Sequence, residues 1–131
     1  MLTLLVDRLA MILMARFHGM FVSEDIAALD AFVPRFVQSE GPVRGIFDFT
    51  DVAVVAVPMT RFVERARRPE QVPGTKRIIV APDPLMFGMA HKFQSHQELS
   101  GNTAPQVVRS LEEAYAAMEV TGQNFEPIDH R

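Results

Sequence analysis

Residues 45–61 read GIFDFTDVAVVAVPMTR, and this stretch decides the fold. It begins as an apolar strand around Ile46 and continues into a loop predicted to start at Asp51. Pro58 suits the first turn of a helix, where its missing N–H costs nothing. A strand, a loop and a helix in succession are typical of α/β proteins, which bind ligands at the carboxyl ends of strands. This loop holds alanine, valine and methionine where a catalytic loop holds polar groups, so the sequence predicts an α/β fold with little catalytic chemistry here.

The residues at the amino terminus predict a β-hairpin. Two apolar runs, residues 2–6 and 9–17, are separated only by Asp7 and Arg8. Such short spacing is typical of antiparallel strands. Neither run alternates cleanly, so both are predicted to be buried on two faces, and the second run also fits a helix.

A helix is predicted after the hairpin. Ser23 precedes two acidic residues, which is the pattern of an N-cap followed by acids in the first turn. Apolar side chains then recur at helical spacing through residues 26–37. Pro34 lies inside this pattern and predicts a kink or an early end, because proline removes one backbone hydrogen bond.

The residues after Pro58 predict two further strand and helix pairs. A β-branched strand, RIIV at residues 77–80, is followed by Asp83 and Pro84, a good N-cap and a good first helical residue. Residues 106–109 have an extended pattern.

The last helix is marked by a capping box. The hydroxyl of Ser110 is predicted to accept from the backbone of Glu113, whose side chain reaches back. The helix then runs to about Val120, and residues 121–131 are predicted to be a disordered tail.

These elements give the order β-β-α-β-α-β-α-β-α. Strands that alternate with helices predict a parallel sheet with right-handed crossovers, and the initial hairpin makes that sheet mixed. We therefore predict a single α/β domain over residues 1–120, with a mostly parallel sheet of four to five strands and helices packed on it.

Composition limits the classes of function. The chain has 131 residues, a net charge of −3 and no cysteine. The charge gives no case for nucleic acid, which favours a basic face. The absence of cysteine excludes disulfides, thiolate metal sites and thiol catalysis.

The apolar amino terminus is predicted to be part of the fold. Asp7 and Arg8 interrupt it, so no run approaches the roughly 20 apolar residues that span a bilayer. A signal peptide places positive charge before an unbroken apolar region, and this segment does not. We therefore expect no membrane span and a cytoplasmic protein.

Few side chains carry the pattern of a catalytic site. Asp48 and Asp51 flank the strand end, where they fit either a general base or cation site, or a turn cap and a solvated acid. Thr50 and Thr60 are the hydroxyls near this loop, and no histidine lies beside them in sequence. No glycine-rich phosphate loop is present.

Neither a metal nor a cofactor is predicted. His91 and His96 are five residues apart, whereas metal ligands on a helix favour spacings of three or four. His18 and His130 fall in a loop and in the tail, so all four histidines fit surface or loop positions better than a metal site.

Two other compositional features leave alternatives open. Six basic residues between Arg61 and Arg77 fit a solvated helix face or a patch for an acidic partner or anionic lipid. Eight methionines and ten phenylalanines fit an ordinary core or a pocket for an acyl chain.

Three segments together resemble the STAS superfamily. They are FDFTDV at residues 47–52, VAPDPLMFGMAHKFQ at 80–94 and VVRSLEEAYAAM at 107–118. With the order of elements above, they resemble the SpoIIAA-like group, and within it stand-alone bacterial members of unassigned function. That superfamily includes the sporulation anti-anti-sigma factor and is related in fold to CRAL-TRIO lipid-transfer domains. The resemblance covers residues 2–120 and implies a SpoIIAA-like fold.

The resemblance argues against the regulatory switch of the superfamily. Regulatory members carry a phosphorylatable serine just before the second helix. That position falls here at Val57 or Pro58, and neither residue can be phosphorylated. Thr60 lies nearby but inside the predicted first helical turn.

The sequence therefore predicts a non-catalytic module that contacts a regulatory protein partner through the 51–61 loop and the following helix, without a phosphoserine switch. The alternative is a binder of a small apolar ligand or lipid in a pocket lined by methionine and phenylalanine, and a small uncharacterised enzyme comes third. A homodimer through the apolar loop or the N-terminal strand edge is a further expectation. The predicted contact residues are Asp48, Thr50, Asp51, Val57, Pro58, Thr60, Arg61 and Arg65.

Overall fold

Six strands and four helices follow one another along residues 1–130, the part of the chain that this computed structural model describes. The strands are β1 (Leu2–Asp7), β2 (Ile12–Phe21), β3 (Arg44–Val55), β4 (Arg77–Val80), β5 (Gln106–Val108) and β6 (Glu126–Ile128). The helices are α1 (Ser23–Glu40), α2 (Met59–Arg67), α3 (Pro84–Leu99) and α4 (Leu111–Met118). No helix among these residues is both long and apolar enough to cross a bilayer.

All six strands belong to one mixed sheet. Their spatial order is β5-β4-β3-β2-β1-β6. β2, β3, β4 and β5 pair in parallel, while β1 pairs antiparallel with both β2 and β6. The predicted α/β class and the β1–β2 hairpin are confirmed. The predicted count of four to five strands is too low, and the predicted order omits β6.

The sixth strand lies in the segment predicted to be a disordered tail. β6 pairs with β1 in the register Leu4↔Ile128, and His130 Nε2 lies 3.1 Å from the carbonyl oxygen of Leu2. This pairing satisfies the outer edge of β1, which would otherwise expose unpaired backbone groups. The three residues of β6 have no sequence pattern typical of a strand. Pairing with β1, and not local propensity, keeps them extended. Residue 131 lies outside the described residues.

The first five residues of the predicted 51–61 loop continue β3, and its last three belong to α2. The strand runs to Val55, and only residues 56–58 connect it to α2. β2 continues beside it in parallel as far as Phe21, with two irregularities in the register. The alternation of valine with small residues favours an extended strand once a partner strand is available. Pro58 is the N-cap of α2, which begins at Met59. The helix therefore starts just after the proline instead of including it in the first turn.

The helix starts follow the predicted chemistry at two of three positions. Asp83 Oδ1 accepts from the backbone N–H of Leu85 at 2.8 Å, and Ser110 Oγ accepts from that of Glu113 at 3.2 Å. Ser23 is not a cap but the first residue of α1. Asp25 takes its place, because its buried Oδ2 accepts from Val22 N and from the N-terminal amine.

Pro34 does not end α1, which continues to Glu40. The residues on either side, Phe32 and Phe36, are buried against the sheet. Their packing offsets the hydrogen bond that the proline removes, because most helical stability in proteins comes from an apolar face that is buried.

The two faces of the sheet carry separate cores. One face packs against α1, α2 and α3 and contains most of the buried phenylalanines. The other face packs against α4, through residues such as Ile46, Ile78 and Met118. Because α4 is short, it covers fewer residues than the three helices opposite. A small apolar space adjoins the three-helix face.

Candidate ligand-binding cleft

A cleft separates α1 from α2 on the three-helix face. Its floor is formed by β2, β3 and β4, and its walls by Leu29 of α1 and Phe62 of α2. The alternation of strand side chains sends Phe17 of β2 and Phe49 of β3 to this face, while Met14 of β2 and Ile46 of β3 face α4. We name this space the α1–α2 cleft.

The cleft has two halves that share five lining residues. The shared residues are Leu29, Asp30, Phe47, Arg65 and Arg77. The aromatic half is completed by Phe17, Phe21, Ile26, Phe49, Phe62, Ile79, Phe93 and Pro105. The aliphatic half is completed by Leu13, Ala15, Val33, Val43, Arg44, Gly45, Gln71 and Val72.

The space available is small. The cavity volume is about 90 Å³ in the aromatic half and about 70 Å³ in the aliphatic half. Together they are close to the roughly 150 Å³ of an engineered apolar cavity that binds benzene. The cleft therefore has room for one ring or a short chain, and a full acyl chain would require α1 to move.

Stacked and edge-on rings build the aromatic half. The ring centroids of Phe17 and Phe49 are 4.7 Å apart and stacked, and Phe21 meets both rings edge-on, at 4.9 and 5.0 Å. Phe62 and Phe93 form a second pair at 5.3 Å, which joins α2 to α3. These are the separations at which aromatic pairs attract beyond simple burial, and the wall offers ring faces and edges to a ligand.

An ion pair crosses the cleft where its halves meet. Arg65 Nε donates to both carboxylate oxygens of Asp30, at 3.0 and 2.9 Å, and so ties α2 to α1. Gln71 Nε2 also donates to the backbone oxygen of Asp30 at 3.0 Å. Because both side chains are largely buried, this pair is less screened by solvent than a surface pair.

A second arginine at the same junction is incompletely paired. Arg77 Nη2 donates to Gln97 Oε1 at 2.8 Å and to the backbone oxygen of Thr103. Its Nε is buried without a hydrogen-bond partner, as is Oε2 of Glu70, which lies 3.6 Å from Nη2. Burial lowers the pKa of Arg77, and the carboxylate of Glu70 acts in the opposite direction. Buried polar atoms without partners are rare in native proteins and call for an explanation.

Two of the predicted contact residues, Asp48 and Thr50, lie on the opposite face of the sheet. Asp48 is 1% exposed, and its carboxylate accepts from Arg16 Nε at 3.2 Å and from the backbone and hydroxyl of Thr50, at 3.0 and 2.5 Å. All of these hydrogen bonds are made to groups of the protein itself. Asp48 therefore has a structural role, in which its bond to Arg16 joins β3 to β2.

Tyr115 of α4 stands near this cluster. Burial raises its pKa above the ordinary value, Arg16 lowers it in part, and Asp48 raises it. A raised pKa means that the folded state holds the proton more tightly than the unfolded state. The contribution to stability is therefore complete below pH about 10 and is lost as pH rises through the higher folded value.

We expect the phenol of Tyr115 to titrate above its ordinary pKa in the folded protein. Because the chain contains a single tyrosine, the ultraviolet absorbance of tyrosinate reports this group alone. Free energies of unfolding measured from pH 8 to about 11 should fall more steeply for the wild type than for Tyr115→Phe. Parallel curves, or a titration at or below the ordinary value, would contradict the assigned environment.

The other predicted contact residues do not gather into one site. Val57 is 5% exposed and packs in the core, so it is not accessible to a partner. Asp51 is exposed and lies opposite His18 in the β2–β3 register, whereas the ring of His18 contacts the hydroxyl of Thr3. Pro58 and Thr60 are exposed near the start of α2.

The basic residues between 61 and 77 are dispersed as well. Arg61 is half-buried on α2, whereas Arg65 joins the cleft. Lys76 Nζ donates to the backbone oxygen of Ala117 at 2.9 Å.

The described residues include no group of three or more histidine or acidic side chains placed to hold a metal ion.

The sequence left a pocket lined by methionine and phenylalanine open as the alternative to an ordinary core. In the described chain the cleft is lined by phenylalanines without methionine, since Met14 faces α4 and Met86 and Met89 fill the core. Asp30 and Arg77 were missed as site residues. A signal was present at both, because an acid in an apolar helix face and an arginine opening a buried strand each require a partner.

No model of a known protein family matches this sequence, and no significant match is found among curated proteins. The resemblance to the STAS superfamily therefore stays a prediction, and the function has to be argued from the geometry of the cleft.

Proposed function

We propose that this protein binds a small apolar ligand in the α1–α2 cleft. The observation that carries the proposal is the aromatic half, where six phenylalanines line a space beside two arginines. Ligand sites are concave, largely apolar and furnished with a few polar groups that fix orientation, and the cleft fits that description. The STAS-like fold that we propose from the resemblance accords with a binding role.

A binding role is favoured over catalysis by the chemistry of the lining. Within the described residues, the cleft is lined by apolar side chains, three arginines, one aspartate and one glutamine, without serine, threonine or histidine. The aspartate is engaged by Arg65. A ligand would therefore meet ring faces and cationic donors, and no nucleophile with an adjacent base.

Blocking the cleft tests this function. We expect Leu29→Trp to fill the space and to weaken binding of toluene about tenfold or more, because the ligand loses its apolar contacts. Leu99→Trp is the matched control, since Leu99 is 82% exposed at the end of α3. Calorimetric titration of the wild type and both variants measures the difference.

The overpacked variant is expected to lose about 1–3 kcal/mol of stability, so its folding is checked by circular dichroism. If toluene does not bind the wild type, or binds Leu29→Trp as well as it binds Leu99→Trp, the cleft is not the binding site.

Contact with another protein is the second candidate function. Met20 and Val54 lie side by side in the β2–β3 register, where they are 54% and 51% exposed. Met59, at the start of α2, is 39% exposed. Exposed apolar side chains in adjacent positions are typical of contact surfaces. Val54 and Met59 lie within the segment predicted to touch a partner, and Met20 lies outside it.

We expect Val54→Asp to abolish self-association if Met20 and Val54 form a dimer interface, because the charge would be buried between two copies. Leu85→Asp is the control, since Leu85 is 65% exposed on α3. Sedimentation equilibrium should show a wild-type dimer and a monomeric Val54→Asp variant. A monomeric wild type would count against the dimer.

A further inference from the structure

One of the three arginines that line the cleft, Arg77, has a buried N–H donor without a hydrogen-bond partner. Arg44 uses its two Nη groups on the backbone oxygens of Met118 and Ala10, at 3.3 and 3.0 Å. Arg65 uses its Nε on Asp30. Arg77 alone among these three has a buried nitrogen without a partner, and it lines both halves of the cleft.

The charge of the lining favours an anion. Three arginines and one aspartate line the two halves, so positive charge exceeds negative charge there. Glu70 is the further acid near Arg77, and its Oε1 is engaged by the backbone N–H of Thr103 at 2.9 Å. Glu70 Oε2 lies 3.6 Å from Arg77 Nη2, so Arg77 is ion-paired and the unmet donor is its Nε. The surrounding phenylalanines keep the local dielectric low, which strengthens the attraction of this positively charged lining for an anion.

From this juxtaposition we propose that the ligand is a small carboxylate. Its carboxylate accepts hydrogen bonds from Arg77 at the junction of the two halves, and its single ring or short chain lies against Phe17, Phe49 and Phe62. This inference rests on the proposed binding function and adds the chemical class of the ligand. Arginine is the side chain best suited to a carboxylate, because its planar fork of N–H donors matches the two oxygens.

The competing chemistry is a neutral amide. A neutral amide also presents an oxygen that accepts from Arg77, and Glu70, the acid near Arg77, lines neither half of the cleft. Phenylacetate and phenylacetamide have nearly the same size and shape and differ in charge and in the presence of N–H donors. Their comparison therefore separates the two ligand classes.

The test is a calorimetric titration of the wild type with each compound at pH 7, with binding placed by amide chemical-shift changes. We expect phenylacetate to bind about tenfold more tightly than phenylacetamide, because charge-assisted hydrogen bonds are roughly twice as strong as neutral ones. The shifts should be centred on Leu29, Phe62 and Arg77.

Two variants locate the source of the preference. Arg77→Met keeps the length of the side chain and should bind the two compounds equally, while Arg77→Lys should retain part of the preference for the acid. Arg67→Met is the matched control, because Arg67 is exposed on α2 outside the cleft. It should retain the full wild-type ratio.

The outcomes separate this inference from the function on which it rests. Equal or weaker binding of phenylacetate, with shifts in the cleft, overturns the carboxylate and leaves the binding function standing. Absence of cleft binding by phenylacetate, phenylacetamide and toluene overturns both. If Arg77→Met does not fold, the ratio of the two affinities in the wild type still decides the ligand class.

Discussion

Replacement of Phe49 with alanine is expected to lower the free energy of unfolding by about 3–5 kcal/mol. Phe49 is 6% exposed, and its ring packs against both Phe17 and Phe21. The variant loses the transfer free energy of the buried ring and two aromatic contacts. It also carries the cost of the cavity that the missing ring leaves. Urea unfolding followed by circular dichroism measures the loss.

The same change at a half-buried ring provides the comparison. Phe87 lies on α3, where the guanidinium carbon of Arg109 stands 3.9 Å above its ring centroid. Because this ring is only partly buried, Phe87→Ala should cost less, about 1–2 kcal/mol. A loss at Phe49 no larger than the loss at Phe87 would mean that the aromatic half is not tightly packed.

The Phe49→Ala variant also bears on ligand binding. The deletion enlarges the aromatic half, and cavities lined by apolar groups bind apolar molecules that fill them. Toluene should therefore stabilise this variant by more than it stabilises the wild type, since ligand binding to the native state shifts unfolding by mass action.

The second large effect is expected at Asp48. Its buried carboxylate accepts from Arg16 and from both donors of Thr50. In Asp48→Asn an amide group replaces one of these acceptors and opposes a donor. We expect a loss of about 2 kcal/mol, below the cost of breaking a fully buried pair because the side chain of Arg16 is 34% exposed.

Asp51→Asn is the matched control for Asp48→Asn. Asp51 lies three residues further along β3 and is exposed, so its change should stay within about 0.5 kcal/mol. Binding of toluene should be unaltered in both variants, because neither residue lines the cleft. A large binding defect in a stable Asp48→Asn protein would restore the functional part that the sequence suggested for this residue.

Local signals in the sequence accounted for much of the fold. The short spacing of the first two apolar runs predicted the β1–β2 hairpin, and Asp83 and Ser110 predicted two helix starts from the hydrogen bonds that their side chains make. Such signals are readable because each depends on residues within one turn of the chain.

The remaining elements depend on partners that are distant in sequence. β6 exists because β1 has a free edge, and β3 extends to Val55 because β2 extends beside it. Pairings of this kind are set by tertiary context, which overrides local propensity.

The candidate site was harder to predict for the same reason. A pattern of phenylalanines predicts burial, but only the packing of α1 away from α2 shows that a space remains between them. Asp30 and Arg65 are 35 residues apart in sequence, and their contact becomes visible only in the fold. Residues 51–61, predicted to be a loop, divide between the end of β3, a three-residue connection with a buried Val57, and the start of α2.

The central claim, that the α1–α2 cleft binds a small apolar ligand, is tested most directly by intermolecular nuclear Overhauser effects. The measurement uses methyl-labelled protein with unlabelled toluene. We predict contacts from the toluene ring to the methyl groups of Ile26, Leu29 and Ile79, which line the aromatic half. Contacts confined to the exposed Val54, or none at all at saturating toluene, would contradict the claim.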